Sequence, residues 1–352
     1  MSAKDAGSGA HGRRRRPLPE RSPAERITGD RLVRAIIPDE GPLPVAVEAR
    51  SADLDLGDWL DAHRERVDST LLSVGAVLFR GFAVRTAAEF ERTVRTYTPL
   101  LSDYVDPHTP RSRVSGAVYT STEYSSRHPI ELHSENSYSE QWPLHAWFWC
   151  EHPAARGGQT PLADNRSVLA RVPADLREHF VARKVMYVRN YGHGVSLPWQ
   201  RVFGTSDRKA VERRCRALRL DFEWIGDDRL RTRYVADALA VHPQTGDAVW
   251  FNQAHAFHPS SLSAEVRASL LEAFDHADLP NDARFGDGSE IESEAIEAVR
   301  HAYACESVRF SWRVGDVLLL DNMLIAHGRE PYEGSRAIRV ALADPVRRRL
   351  PA

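Results

Sequence analysis

The chain predicts a mainly β fold with flanking helices, built on a double-stranded β-helix (jelly-roll) core. Three observations predict it. Strand-like apolar runs are numerous and short. Helical patterns are few and flank them, without the strand–helix–strand alternation of a doubly wound sheet. The last third closes in three strand runs, Val308 to Trp312, Asp316 to Asp321 and Ala337 to Ala343, as a jelly roll would.

In chain order, residues 1–30 are rich in Gly, Ser, Ala, Pro and Arg, lack a hydrophobic period and read as a disordered tail. The remaining residues, 31–352, read as one domain. Leu54, Leu56, Trp59, Leu60 and Val67 give Leu54 to Ser73 an amphipathic helical period. Val74 to Phe79 is an apolar run and reads as a buried strand. Thr86-Ala-Ala-Glu89 has the form of a capping box and starts a second helix. Pro143 to Cys150 reads as a strand, and Val172 to Phe180 as a short helix. Strand runs follow at Lys184 to Tyr191, Leu220 to Trp224, Arg233 to Val235, Ala238 to His242 and Ala248 to Asn252. Helices are expected over Ser263 to His276 and Ile291 to Ala304. Gly192 to Arg214 is polar and contains Pro and Gly, the character of a lid, and the whole excursion 192–235 reads as an insertion.

Composition excludes several classes. Hydrophobic residues make up 42% and charged ones 27%, ordinary for a soluble domain. A formal net charge of −2 gives no support to a nucleic-acid or anionic-membrane partner. The three cysteines, Cys150, Cys215 and Cys305, are far apart and outside metal-ligand spacing, which fits a reducing, cytoplasmic setting. No apolar run approaches a membrane span. Arg13 to Arg16 leads into Pro-Leu-Pro-Glu, not an apolar segment, and reads as a solvated charge run.

The chemistry starts at Ile130-Glu-Leu-His-Ser-Glu-Asn-Ser-Tyr138. On an extended segment His133 and Glu135 point the same way, because side chains alternate. They would supply two ligands of a 2-His-1-carboxylate Fe(II) site, which leaves one face of the ion open. Downstream lie Gly157-Gly-Gln-Thr-Pro-Leu-Ala-Asp164 and the long run from Trp312 through Gly315-Asp-Val-Leu-Leu-Leu-Asp-Asn322 and His327 to Arg336. On spacing alone, His327 reads as a hydrogen-bonded turn histidine at least as readily as a ligand.

Taken together and in this order, these motifs resemble the taurine dioxygenase-like superfamily of Fe(II)/2-oxoglutarate-dependent oxygenases. The likeness runs from about Gly75 to Pro345 and is nearest to the syringomycin-hydroxylase-like and clavaminate-synthase-like branch. That resemblance implies His133, Glu135 and His327 as iron ligands. It implies Thr160 and Arg336 for the far carboxylate of 2-oxoglutarate, through an arginine fork and a hydroxyl. Arg339 is the competing arginine: the two lie nine and twelve residues beyond His327, and the Gly-Ser-Arg context favours Arg336. Candidate substrate contacts are Asn136, Ser137 and Tyr138 beside the ligands, Asn252 and His255 in Val249 to His255, and Arg329 with Glu330. Trp147, Phe148 and Trp149 read as core and cover.

The resemblance further implies Fe(II), with 2-oxoglutarate and O2 as cosubstrates, and hydroxylation of an unactivated C–H bond. The expected substrate is an amino acid or an amino-acid-derived natural-product intermediate, free or bound to a peptidyl carrier protein. A carboxylate at Glu135 argues against halogenation, since related halogenases place a halide there. Desaturation, cyclisation or epimerisation with the same cofactors is the alternative outcome, and an inactive binding protein on the same fold is the non-enzyme alternative.

Overall fold

Two β-sheets facing each other across an apolar core form the centre of the protein. The computed structural model describes residues 27–28, 31–36, 43–102, 112–121, 124–192 and 196–348. The larger sheet has eight strands, in the order Val33–Ile36, Val45–Ala49, Ala76–Arg80, Val317–Asp321, Gln141–His152, Ala337–Arg347, Val118–Thr120 and Arg113–Ser115. The smaller has four, in the order Val308–Phe310, Thr160–Asp164, Ile325–Arg329 and Ile130–His133. These are the facing sheets of the expected jelly roll. Pairing is antiparallel save between Val45–Ala49 and Ala76–Arg80, which run parallel through a two-helix crossover.

Strand alternation sorts the aromatic run of Gln141–His152. Phe148 points between the sheets and packs with Leu162, Phe310, Leu318, Leu320 and Ile338. Trp147 and Trp149 point the other way, onto the helical layer with Trp59, Phe79 and Phe90. The sequence expectation of core and cover for these three rings holds in both directions.

Three elements differ from expectation. The helix expected over Leu54 to Ser73 is two, Leu56–Ala62 and Arg64–Val74. His63 breaks it: its ring stacks on Trp59 at 4.5 Å between centroids and its Nδ1 bonds the Trp59 carbonyl at 2.8 Å. The excursion 192–235 is largely regular structure. It holds helices Trp199–Phe203 and Arg208–Ala217 and the hairpin of Asp221–Ile225 with Arg229–Ala236. Arginines and acids mask an apolar stripe there, and Trp199, Val202, Phe203, Val211, Cys215 and Leu230 form a small core together with Tyr191 of the strand Val185–Tyr191. Residues 193–195 lie outside the described set. Of the segment 1–30 only Ile27 and Thr28 are described, and Ile27 is fully buried in the main core. The Thr86/Glu89 capping box is formed as expected.

A buried ion pair ties the larger sheet to the turn that precedes its central strand. Arg80 donates from Nε and Nη2 to the two Asp316 carboxylate oxygens, at 2.9 and 2.7 Å, and Asp316 is wholly buried. Arg80→Ala leaves that carboxylate without its cation in a dry environment. The expected cost is about 3–5 kcal/mol, read as a lower midpoint in urea unfolding. A loss below about 1 kcal/mol would contradict the role given to the pair.

Candidate active site

His133 and His327 are brought together by strand register. Ile130–His133 and Ile325–Arg329 pair antiparallel with these two residues directly opposite. Cross-strand partners on one face lie close enough to touch, and the two ring centroids are 4.6 Å apart. Gly328 permits the close approach: a Cβ there would sit 2.6 Å from the Ile130 carbonyl oxygen. Glu135 arrives differently. The strand ends at His133, and Glu135 lies in the following turn, so it is the turn and not strand alternation that directs its carboxylate. Glu135 Oε1 is 3.5 Å from His327 Nε2. Ligand atoms of all three residues lie within 4.8 Å of one another.

The donor set fits a divalent metal that prefers nitrogen and oxygen. His133 Nδ1 bonds the Glu131 carbonyl at 2.8 Å, which places the proton on Nδ1 and leaves Nε2 as the donor atom. Phe148 packs edge-on to His327 at 4.9 Å and gives the ring an apolar wall.

The turn carrying Glu135 is held by buried side-chain amides. Asn322 Oδ1 accepts from the Glu135 N–H at 2.6 Å, and its Nδ2 donates to the Glu135 and Pro143 carbonyls, each at 2.9 Å. Asn165 donates to Ser134 Oγ at 3.0 Å and to the Met323 carbonyl at 2.9 Å. Gln253 donates to the Ser134 carbonyl at 2.7 Å and to Ser137 Oγ at 3.1 Å. Asn322 is in turn set by Asp321, whose Oδ1 accepts from the Met323 and Leu324 N–H groups. Asp321 Oδ2 meets His242 Nε2 at 2.8 Å. His242 Nδ1 accepts from the Gln244 and Thr245 N–H groups, so Nε2 carries the proton and donates.

A cavity with about 430 Å³ of empty space, its open mouth included, adjoins the three ligands. Thr160, Arg329, Arg336, Phe148 and Ile338 complete its wall. Trp312 Nε1 donates to Thr160 Oγ1 at 2.9 Å, which leaves the threonine proton to be donated elsewhere. Arg336 donates to the Gly158 carbonyl at 3.2 Å. Gly158, at φ +71°, is where the backbone must pass close: a Cβ would lie 3.2 Å from Arg336 Cδ and Nε. Arg329 donates to the carbonyls of Tyr124, Ser125 and His128. Burial, and then the Arg329 cation, pull Arg336 down to about 10; burial also lowers Arg329. Two desolvated cations beside the His133/Glu135/His327 group make a wall suited to an anion.

Arg339 is turned away from this cavity. It pairs with Glu151 and lies on the last strand opposite Trp149. The other candidate residues separate into groups. Asn136 and Tyr138 line a second, larger cavity. Ser137 is fully buried and held by Gln253. Asn252 bonds the Ala238 carbonyl and accepts from the Ala254 N–H, so its amide is committed to the backbone. His255 is buried, with Nε2 on the Leu132 carbonyl at 2.8 Å. Glu330 pairs with Arg309 at 2.9 Å. Sequence reasoning missed Asn322, Asn165, Gln253 and Trp312. The Asp-Asn pair before His327 was visible, but only the fold shows what it holds.

The sequence pattern of the taurine catabolism dioxygenase TauD, TfdA family matches residues 39–342. The chain belongs to that family and is a non-heme Fe(II)/2-oxoglutarate-dependent dioxygenase. The dapdiamide synthesis protein DdaC of Enterobacter agglomerans is 37% identical to it over 300 residues, covering 85% of this chain and 91% of its own. A clavaminate synthase-like protein of Arabidopsis thaliana is 28% identical over 325 residues, covering 86% and 93%. Among solved structures, PvcB of Pseudomonas aeruginosa shares the fold, with a TM-score of 0.54 at 16% identity over 89% of this chain and 92% of its own.

Two outcomes test this architecture. Asn322→Ala should weaken Co(II) binding to the metal-free protein about tenfold or more, because it frees the Glu135 backbone and leaves buried polar groups unsatisfied; unchanged affinity, read by anaerobic absorption titration, would contradict the clamp. Burial holds His255 down to about 4, against an ordinary value near 6.5. The folded state therefore binds fewer protons than the unfolded one, and stability falls as pH drops from about 6.5 towards 4. The contribution lost is on the order of 3 kcal/mol. Urea unfolding of the wild type and His255→Gln across that range should show the gap between them narrowing at low pH; a constant gap would contradict the assignment.

Proposed function

We propose that the chain hydroxylates an unactivated C–H bond of an amino acid or an amino-acid-derived natural-product intermediate. The observation that carries this reading is a complete His133/Glu135/His327 set in a chain 37% identical to a dapdiamide synthesis protein. Residues 31–352 act as one catalytic domain in this reading, with 192–235 as its cover.

His133, Glu135 and His327 would hold Fe(II). That ion, with 2-oxoglutarate and O2, supplies the oxidising power and yields succinate and carbon dioxide. The chain's own residues do the positioning. Arg336 takes the far carboxylate of 2-oxoglutarate through charge-assisted hydrogen bonds, and Thr160 donates its hydroxyl proton to the same group. Arg329 adds positive potential from behind. Its two terminal nitrogens are held by backbone carbonyls, which suits a fixed charge better than a mobile clamp. Phe148 and Ile338 exclude water from the reacting side. Glu135 supplies an oxygen donor at the position a halide would need, which favours oxygen insertion over halogenation.

His133→Ala and His327→Ala should each abolish substrate-dependent succinate production and weaken Fe(II) binding, while far-UV circular dichroism stays unchanged. Near-normal turnover in either would overturn the ligand set. Arg336→Ala should raise the KM for 2-oxoglutarate by about tenfold or more, the scale of one lost charge-assisted hydrogen bond. Arg339→Ala should leave it within about twofold, and the reverse ranking would move the role to Arg339. An anaerobic screen of amino acids, free and carrier-loaded, for perturbation of the Fe(II)–2-oxoglutarate absorption band identifies the substrate; a complete absence of response would count against the amino-acid class.

A further inference from the structure

The strand Ile130–His133 lies at the edge of the smaller sheet. On one side it pairs with Ile325–Arg329, which puts His133 opposite His327. On its other side no strand among the described residues continues the sheet. An edge strand leaves a row of backbone groups without ladder partners. This one carries the first candidate ligand and leads directly into the turn that carries the second.

Two side chains stand where a neighbouring strand would. His255 Nε2 meets the Leu132 carbonyl at 2.8 Å, and Gln253 Nε2 donates to the Ser134 carbonyl at 2.7 Å. A carbonyl can only accept, so His255 Nε2 carries the proton and donates. The two carbonyls flank His133 and lie two residues apart, as do the two donors. In an extended chain, backbone groups two residues apart point to the same side. The order is reversed, Leu132 with His255 and Ser134 with Gln253, as in an antiparallel ladder. Gln253 also donates to Ser137 Oγ at 3.1 Å, so it spans the turn that carries Glu135. The segment bearing these donors is itself fixed. Asn252 donates to the Ala238 carbonyl and accepts from the Ala254 N–H. The Gln253 N–H donates to the Tyr187 hydroxyl at 2.8 Å. The His255 carbonyl accepts from Arg300 Nη2 at 2.6 Å, and its ring lies 4.7 Å from that of Tyr303, both on the helix Ser293–Glu306. Asn252, Gln253, Ala254 and His255 are all buried, so water does not compete for these bonds.

We propose that Gln253 and His255 are positioning residues for the metal site: they complete the open edge of the strand Ile130–His133 and thereby fix the His133 ring and the Glu135 carboxylate before a metal arrives. The inference rests on the ligand set proposed above. Neither side chain touches the metal or the substrate in this reading. Each acts through a backbone carbonyl next to His133, and loss of either donor lets that stretch of strand move away from His327.

The test uses the full-length protein without metal. Hydrogen–deuterium exchange is read on residues 130–138, and Co(II) is titrated anaerobically by its d–d absorption. Gln253→Leu and His255→Leu keep most of the bulk and lose the donor. Each should speed exchange of that segment about tenfold, while the strand Val317–Asp321 exchanges at the wild-type rate. Each should also shift the d–d band and weaken Co(II) binding by about threefold or more, the lower end of what a lost outer partner costs a metal site. His255→Gln, which keeps a donor at similar reach, should bring the affinity back to within about twofold of wild type. Gln253→Glu, nearly isosteric but offering an acceptor to the Ser134 carbonyl, should behave as Gln253→Leu does, and it carries the test if the leucine variant does not fold. Arg80→Ala weakens the fold elsewhere and should leave the band in place. Unchanged exchange over 130–138, a wild-type band and affinity in the donor-less variants, no rescue by His255→Gln, or the same band shift in Arg80→Ala overturns the proposal. If the wild type takes up no Co(II) while exchange over 130–138 still rises in the variants, the ligand set falls and the edge pairing stands.

Discussion

The geometry of the candidate metal site depends on how the backbone of residues 134–138 is held. Two imidazoles facing across an antiparallel pair are a consequence of register alone, but the carboxylate lies beyond the end of its strand, where no ladder can fix it. Asn322 supplies the missing ladder. Its side-chain amide meets both the N–H and the C=O of Glu135, as a neighbouring strand would. Asn165 and Gln253 hold the residues on either side. Each of these amides is buried, so each is expensive unless every donor finds a partner. That requirement links the turn after the central strand, the hairpin bearing His242 and the start of a helix into one polar network around a single carboxylate.

The charge distribution follows from the same economy. The cavity beside the ligands gathers Arg329 and Arg336 with burial working against both cations. The buried Arg80, by contrast, has Asp316 to match it. Arg329 instead leans on three carbonyls, and Arg336 on one. A site arranged in this way gains most from a dianion that arrives with the reaction, which is the charge of the family's cosubstrate. The protein thus stores favourable binding as unrelieved positive potential.

Much of this was legible in the sequence, and the reasons differ by element. The central strands of the larger sheet announce themselves where apolar runs are long, as at Val317–Asp321 and Gln141–His152. Val33–Ile36 and Val45–Ala49 were invisible because short strands carry little periodic signal. The two-helix break at His63 could not be read, since it comes from one ring stacking on Trp59. Within the insertion the strand runs at Leu220 to Trp224 and Arg233 to Val235 were legible, but Gly192 to Arg214 read as lid because its surface is so heavily charged that the stripe from Val211 to Cys215 is diluted. At the site, the ligand triad and the Thr160/Arg336 pair stood out as motifs, and the structure brings all five to one cavity. What the residues do for one another stayed hidden. An asparagine clamp and a tryptophan that orients a threonine depend on tertiary contacts spanning more than 150 residues of chain. Asn252 and His255 sit near the site in sequence pattern and in space, yet their polar atoms serve backbone groups, a distinction that no motif encodes.

The seam between the insertion and the strand before it has a mechanical consequence. Trp199, Val202, Phe203, Val211, Cys215 and Leu230 pack together with Tyr191, and Leu230 to Ala236 pair residue by residue with Val185–Tyr191. A substitution inside the segment is therefore transmitted to that neighbouring strand instead of being absorbed locally.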